Sequence, residues 1–314
     1  MRVLVTGSSG YLGARLLERL QRDPGVTEII GIDERQPQEY HPKLTFYQQS
    51  VTQPYERYFE GVDAAVHLAF VFEPIRDGRW GERVNLEGSE RFLRGLREHG
   101  VAHGVLVSSA TVYGARPDNP IPLTEESALR GEPDFHESRD KTRVEALCAA
   151  FASRQTQLKI VRPCIVTGPH ATHFWMQFLA RPYVPAIQGC DPMMQFVHED
   201  DVALVLHTLC GTGEAGVYNV AAEGRLYLSD VVETLGGRLV SVPRWMLGAT
   251  VDLMWRYNLG HLRDLPPGML PYLAHPWVID GSKLQRTLGV SFQYDACQAL
   301  DAFRVARGLA RRSA

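Results

Sequence analysis

The chain has 314 residues, 45% of them hydrophobic and 22% charged, the balance of an ordinary globular protein with one large α/β core and a smaller lobe. A formal charge of −3 and the lack of any long basic cluster exclude a protein built to hold a nucleic acid backbone, and the basic run from Arg304 to Arg312 reads as a solvated helix end. The five cysteines, Cys148, Cys164, Cys190, Cys210 and Cys297, are widely spaced and without neighbours in metal-ligand spacing, so they read as reduced thiols with no metal among them. The apolar run Val3-Leu4-Val5 leads straight into a glycine turn rather than a cleavage site, which points to the cytoplasm.

In chain order, short apolar runs alternate with helical patterns. Strands are predicted at Val3 to Val5, Ile29 to Ile32, Leu44 to Gln48, Ala64 to Leu68, Val105 to Ser108 and Leu158 to Val161. Helices are predicted at Leu12 to Leu20, at Val84 to Glu98 with Val84, Phe92 and Leu96 on one face, and at Asp140 to Phe151. This alternation is the signature of an α/β fold with a doubly wound parallel sheet. Beyond Pro163 the pattern breaks into a stretch punctuated by Pro169, Pro182, Pro185 and Pro192. Gln195 to Val197 and Val217 to Val220, flanking a helix from Asp201 to Leu209, read as strands that revisit the sheet. The expected division is a sheet-forming domain over 1–166, revisited near 195–222, and a second lobe mainly over 167–314. Trp245 to Trp255 is too short to span a membrane and is interrupted by Asp252 and Arg256, so it reads as a buried or pocket-covering helix with no membrane insertion, an interfacial membrane helix being the alternative.

Gly7, Gly10 and Gly13 follow the first strand and open the first helix. Glycine there lets the backbone turn tightly, approach a pyrophosphate and pack closely, with the helix N-terminus facing the phosphates; this is a Rossmann unit. Asp33 ends the second strand, 20 residues after Gly13, where a carboxylate accepts hydrogen bonds from the adenosine ribose. It favours NAD over NADP by repelling a 2′-phosphate, although Arg35 partly offsets that repulsion.

Together these residues resemble the extended short-chain dehydrogenase/reductase family, which contains the NAD-dependent nucleotide-sugar epimerases and dehydratases. The resemblance extends over nearly the whole chain through Thr6 to Gly13, His67-Leu68-Ala69, Val84 to Gly88, Ser108 to Gly114, Lys141 with Glu145, Arg162-Pro163, Phe196-Val197-His198, Tyr218-Asn219-Val220 and Asp280 to Leu284. It implies a Rossmann domain with a smaller C-terminal α/β substrate lobe, hydride transfer between NAD(P) and a carbinol or carbonyl carbon of a small molecule, and a helix-paired homodimer. It also implies that Tyr11, Leu12, Leu68, Ala69, Lys141 and Pro163 line the cofactor together with the three glycines and Asp33. Ser109 aligns with the catalytic hydroxyl, Thr111 lies beside it, and Asn85 matches an asparagine that supports the active-site lysine. His67 reads as a strand-end packing residue.

One expected group is missing. The family holds a tyrosine four residues before the lysine, but Glu137 stands four residues before Lys141, and no tyrosine occurs between Tyr113 and Tyr183. Three accounts fit. Glu137 could take the acid–base role, helped by His136; it could bind a substrate amine or hydroxyl, or abstract a more acidic proton; or the chain could be a non-catalytic dinucleotide-binding sensor or binding protein. Beside Lys141 and an oxidised nicotinamide the carboxyl is expected to stay ionised, at or below about 4.3, a poor match to an alcohol proton. Its bland alternative is an exposed first-turn residue paired with Lys141, and that of His136 is a cap or surface residue.

The segment from Pro169 to Pro192 offers a sugar nucleotide little beyond His170, His173 and Arg181. It carries instead Phe174, Trp175, Met176, Phe178 and Tyr183, which read as core and tilt the substrate toward something less polar. Arg244 and Arg263 keep a phosphate-bearing ligand open.

Overall fold

The structure is a computed structural model that describes residues 1–39, 41–74, 78–151, 153, 155–260 and 265–310; Arg263 lies outside the described residues. Seven parallel strands form the central sheet. They begin with β1 (Arg2–Thr6), β2 (Glu28–Asp33), β3 (Leu44–Gln48), β4 (Ala64–His67), β5 (His103–Val107) and β6 (Gln157–Pro163). After the short strands β7 (Ile165–Thr167), β8 (Tyr183–Ile187), β9 (Met193–Met194) and β10 (Phe196–His198), the seventh, β11 (Gly216–Val220), joins the edge beside β6. The order β11-β6-β5-β4-β1-β2-β3 reverses direction between β1 and β4, which places a crevice at the carboxyl ends of those two strands.

Side chains alternate across a strand, and both faces here are apolar because helices cover both. Val3 and Val5 face a core shared with Leu16, Leu17 and Leu20 of α1 (Tyr11–Arg22), while Leu4 faces Phe92 and Leu96 of α2 (Gly78–Glu98) and Val144 of α3 (His136–Ala149). After α4 (Phe174–Leu179), α5 (Glu199–Gly211) packs beside α1. Two of the helices start earlier than periodicity indicates: α2 at Gly78 and α3 at His136, so the first turn of α3 contains Glu137.

Val217 to Val220 does enter the sheet, but Phe196–His198 does not. It pairs with β7 in a separate two-stranded sheet, because the chain has left the main layer after Pro163. The remainder comprises β12 (Leu226–Tyr227), α6 (Leu228–Thr234), β13 (Arg238–Val242), α7 (Arg244–Tyr257), α8 (Ser282–Leu288) and α9 (Ala296–Ala306). The reading of Trp245 to Trp255 as a buried helix is corrected here. Helix α7 buries only Leu247 and Val251, and Trp245 is 76% exposed, because its apolar residues are spread around the helix and only one narrow stripe meets the fold. By contrast Phe174, Trp175, Met176 and Phe178 are buried core, whereas Tyr183, read with them as core, is exposed because it opens β8 opposite Arg238 at the end of a two-stranded sheet. Among the described residues no helix is long and apolar enough to cross a membrane, and no group of three or more His, Cys, Asp or Glu is placed to hold a metal ion.

Candidate active site

At Gly7 the chain leaves β1 with φ of +70°, and the Gly7 amide donates to the Ile32 carbonyl at 2.8 Å. A Cβ there would stand 2.6 Å from the Ala69 amide nitrogen, so the turn and the segment after β4 are packed backbone against backbone. A Cβ on Gly13 would stand 2.7 Å from the Ser8 carbonyl oxygen. Gly10 caps α1 without a side-chain bond, leaving the first amides of the helix for an anion. Beside them Asp33 accepts from the Ser9 amide at 3.0 Å and from the Arg35 amide at 2.9 Å, one bond to each carboxylate oxygen. The acid therefore both caps the turn and keeps lone pairs for other donors. The Ser8 and Ser9 hydroxyl oxygens are buried without a hydrogen-bond partner among the described residues, as a cradle completed by a polar ligand would leave them.

The Leu68 and Ala69 amides donate to the carbonyl and hydroxyl of Thr6, at 3.0 and 3.4 Å, and form the next wall of the crevice. Leu12 packs partly buried on the core, and Pro163 ends β6 in register with Val220. Tyr11 donates its hydroxyl to Glu199 at 2.5 Å, and His170 bonds the same buried carboxylate. This contact ties the glycine turn to the start of α5, and it is absent from the sequence reading because its partners lie 188 residues apart. His67 is held between Thr6 (2.7 Å) and Ser89 (3.1 Å) and stacks on Phe92; burial pushes its imidazole down to about 3, so it is neutral.

The serine motif follows β5 and divides its hydroxyls. Ser108 turns inward and donates to Glu145 at 2.5 Å. Glu145 is paired with Arg162, which donates to Tyr113 at 2.7 Å, and Tyr113 donates to Asn219 at 2.8 Å. Glu145, Arg162, Tyr113 and Asn219 are thus one buried network that fixes the strand ends beneath the site. Ser109 instead accepts from the Thr111 amide at 3.2 Å and from the Thr111 hydroxyl at 2.9 Å.

The Thr111 hydroxyl also lies 3.2 Å from Glu137 Oε1. Glu137 is 1% exposed, and its Oε2 is buried without a hydrogen-bond partner among the described residues. Two expectations are therefore corrected. The residue is not an exposed partner of Lys141, and its carboxyl does not stay at or below its ordinary value. Burial pushes it up to about 7, outweighing the opposing pull of Ser109, Lys141 and Thr111. Lys141 is buried as well; burial pulls its ammonium down to about 8 against Glu137 and Glu145. Its Nζ donates to the Val107 carbonyl at 2.5 Å and lies 3.6 Å from the centre of the Phe70 ring.

His136 does not sit where a cap or surface residue would. His136 is buried rather than on the surface, makes no cap bond at the start of α3, and has an Nε2 with no partner among the described residues; burial lowers its pKa. Asn85 accepts from the Val71 amide at 2.7 Å and donates to Asp140 at 3.0 Å, so it pins the segment after β4 to the residue before Lys141 rather than bonding the lysine. Sequence reasoning missed Tyr272, whose segment carries no motif. Its fully buried hydroxyl donates to the Thr111 carbonyl at 2.8 Å and lies 3.0 Å from Ser138. A cavity of about 270 Å³ beside this corner is lined by Glu73, Pro74, Phe174, Gln177, Phe178, Arg181 and Leu265.

A parallel doubly wound sheet, a glycine turn at its switch point and an acid closing the second strand define a Rossmann-type protein. The chain belongs to the NAD dependent epimerase/dehydratase family, which matches residues 3–221. An uncharacterized protein of Mycobacterium tuberculosis is 29% identical over 98% of this chain and 84% of its own length. The fold is similar to that of UDP-glucose 4-epimerase from Thermotoga maritima, solved with UDP-glucose (TM-score 0.77, 17% identity, covering 98% of this chain and 99% of that one). It is likewise similar to a dTDP-glucose 4,6-dehydratase double mutant from Streptomyces venezuelae, solved with NAD bound (TM-score 0.77, 22% identity, covering 98% of this chain and 97% of that one).

Proposed function

We propose that this protein is an NAD-dependent enzyme that oxidises and reduces a carbinol or carbonyl carbon of a small molecule, with Glu137 as the group that takes and returns the proton. The observation that carries this reading is the buried Glu137 carboxyl, held against Thr111 with one oxygen unpartnered and with Ser109 and Lys141 beside it. The glycine cradle, the unpartnered Ser8 and Ser9 hydroxyls and the Asp33 carboxylate fit NAD, and the solved relative from Streptomyces venezuelae is described with NAD. Asp33 favours NAD over NADP, since a 2′-phosphate would meet its charge.

Bound NAD would supply hydride acceptance and return at the substrate carbon. Ser109 and Thr111 hold the oxygen on that carbon. Glu137 Oε2 accepts the hydroxyl proton as the carbon is oxidised and returns it on reduction. A carboxyl near pH 7 is present in both protonation states in neutral solution, as a reversible proton exchange requires. Lys141 keeps positive charge next to the developing alkoxide. Residues 167–314 supply most of the substrate lobe in this reading, and a helix-paired homodimer is the expected assembly, checked by light scattering.

Mixing pure protein and NAD with panels of secondary alcohols and sugars, while following nicotinamide absorbance, tests the proposal. At least one compound reduces NAD, and Glu137→Gln slows that reaction by about 10²–10⁴-fold while NAD affinity measured by calorimetry is kept. Full activity in Glu137→Gln removes the carboxyl from the chemistry. NAD that binds but is reduced by no compound favours the sensor reading, and no binding at millimolar NAD overturns the cofactor assignment.

A further inference from the structure

We propose that α7 docks this protein flat on an anionic lipid surface. The helix presents Trp245, Met246, Leu253 and Tyr257 to solvent, and Leu259 continues the exposed apolar surface just past its end. On a helical wheel these four helix residues and Ala249 share the side opposite the buried Leu247 and Val251, and Arg256 stands among them, so the outward face is mainly apolar with an arginine set into it.

Two features favour lipid over a protein partner. The first is charge. Arg244 and Arg256 are both exposed on α7, whereas Asp252, paired with Arg256 at 3.2 Å, is its one acid, so the helix carries a net positive charge. On a chain whose net charge is −3 this is a local reversal of sign, complementary to anionic headgroups. The second is shape. A helix of 14 residues is about 21 Å long, and a stripe of that length one helix wide falls well short of the roughly 800 Å² per partner that a stable protein interface buries. Tryptophan and tyrosine beside arginine on such a stripe suit the boundary between headgroups and acyl chains, where an apolar body and a polar edge are both satisfied. The length is too short to span, so the helix lies in the plane of the interface.

Docking would orient the active site as well. Helix α7 packs on the turn Pro267–Leu273, whose Tyr272 bonds the Thr111 carbonyl. The decisive experiment is sedimentation of the full chain with vesicles of phosphatidylcholine containing phosphatidylglycerol, and with phosphatidylcholine alone. The protein pellets with the anionic vesicles, less with the neutral ones, and less again as salt is raised. Trp245→Glu with Leu253→Glu abolishes pelleting with an unchanged melting temperature, since both side chains are exposed; should that pair not fold, Trp245→Ser alone lowers pelleting severalfold. Wild-type protein that stays in the supernatant with both vesicle types overturns the proposal. So does a double variant that pellets as before, or a wild-type dimer in light scattering that the double variant dissolves, which would make the stripe a protein interface.

Discussion

Asp33 and Glu137, the two carboxylates on which the proposed function rests, are held in opposite ways. Asp33 is partly exposed, and backbone amides two residues on and within the glycine turn occupy one lone pair on each of its oxygens. Glu137 is buried, lies against the Thr111 and Ser109 hydroxyls, and keeps an oxygen with no hydrogen-bond partner among the described residues. A carboxylate bonded by local backbone stays a good acceptor for ribose hydroxyls whatever surrounds it. One sealed in by distant segments has its chemistry set by that seal, because desolvation disfavours the charged form more than the nearby hydroxyls and ammonium favour it.

The largest expected effect therefore belongs to the sealed end. Burial raises the Glu137 carboxyl from an ordinary value near 4.5 to about 7, so between those pH values the folded chain keeps a proton that the unfolded chain has released. The stability this group contributes is full below about pH 4.5 and falls as pH rises through 7, by about 3 kcal/mol for a shift of this size. Glu137→Gln cannot release a proton, so its denaturant-unfolding stability gains on wild type across that window. Parallel curves for the two proteins would mean that water reaches Glu137 and that the contrast with Asp33 is false.

At the open end the effect is smaller and falls on binding. Asp33→Ala removes charge-assisted bonds to the ribose, of about 1.5–3 kcal/mol in total, and weakens NAD roughly ten- to a hundredfold while raising the affinity for NADP relative to NAD. Calorimetry with both cofactors reads the two changes separately. A loss of NAD affinity with no change in the ratio would assign Asp33 to the turn alone.

The same contrast explains what could be read in the chain before folding. The glycines, Asp33 and the strand alternation are local: a φ of +70° at Gly7 and an acid closing β2 follow from neighbours within one strand-turn-helix unit. Lys141 and Ser109 were legible through motifs, and so were Glu145, Arg162, Tyr113 and Asn219, though only as family markers; their joining into one buried network is a tertiary fact. The environment of Glu137 was not legible. Its dryness comes from the burial of the first turn of α3, to which segments without a motif such as Pro267–Leu273 contribute, so reasoning from Lys141 and the nicotinamide gave the wrong sign for its pKa. Helix α7 failed for the reverse reason. Apolar composition says that a residue can be buried, whereas the packing partner decides whether it is.

Tyr272 gives the finest test of how the sealed end is built. It reaches from the turn Pro267–Leu273 to the Thr111 carbonyl, where Ser138 also donates at 2.7 Å. The phenol cannot itself take the place of the tyrosine that the sequence resemblance leads one to expect before Lys141, since burial pushes its pKa far up and its hydroxyl is already committed to Thr111 and Ser138. Tyr272→Phe keeps the ring packing against Phe135, Trp175 and Trp277 and removes only the hydroxyl. Because Ser138 still satisfies the Thr111 carbonyl, the cost in stability is about 1 kcal/mol. If the phenol positions Thr111, and through it Glu137, the variant loses kcat severalfold with KM and NAD affinity kept. It also moves the acid limb of the pH profile, because Thr111 then bonds Glu137 less well. A purely structural hydroxyl would lower the melting temperature and leave that limb where it is.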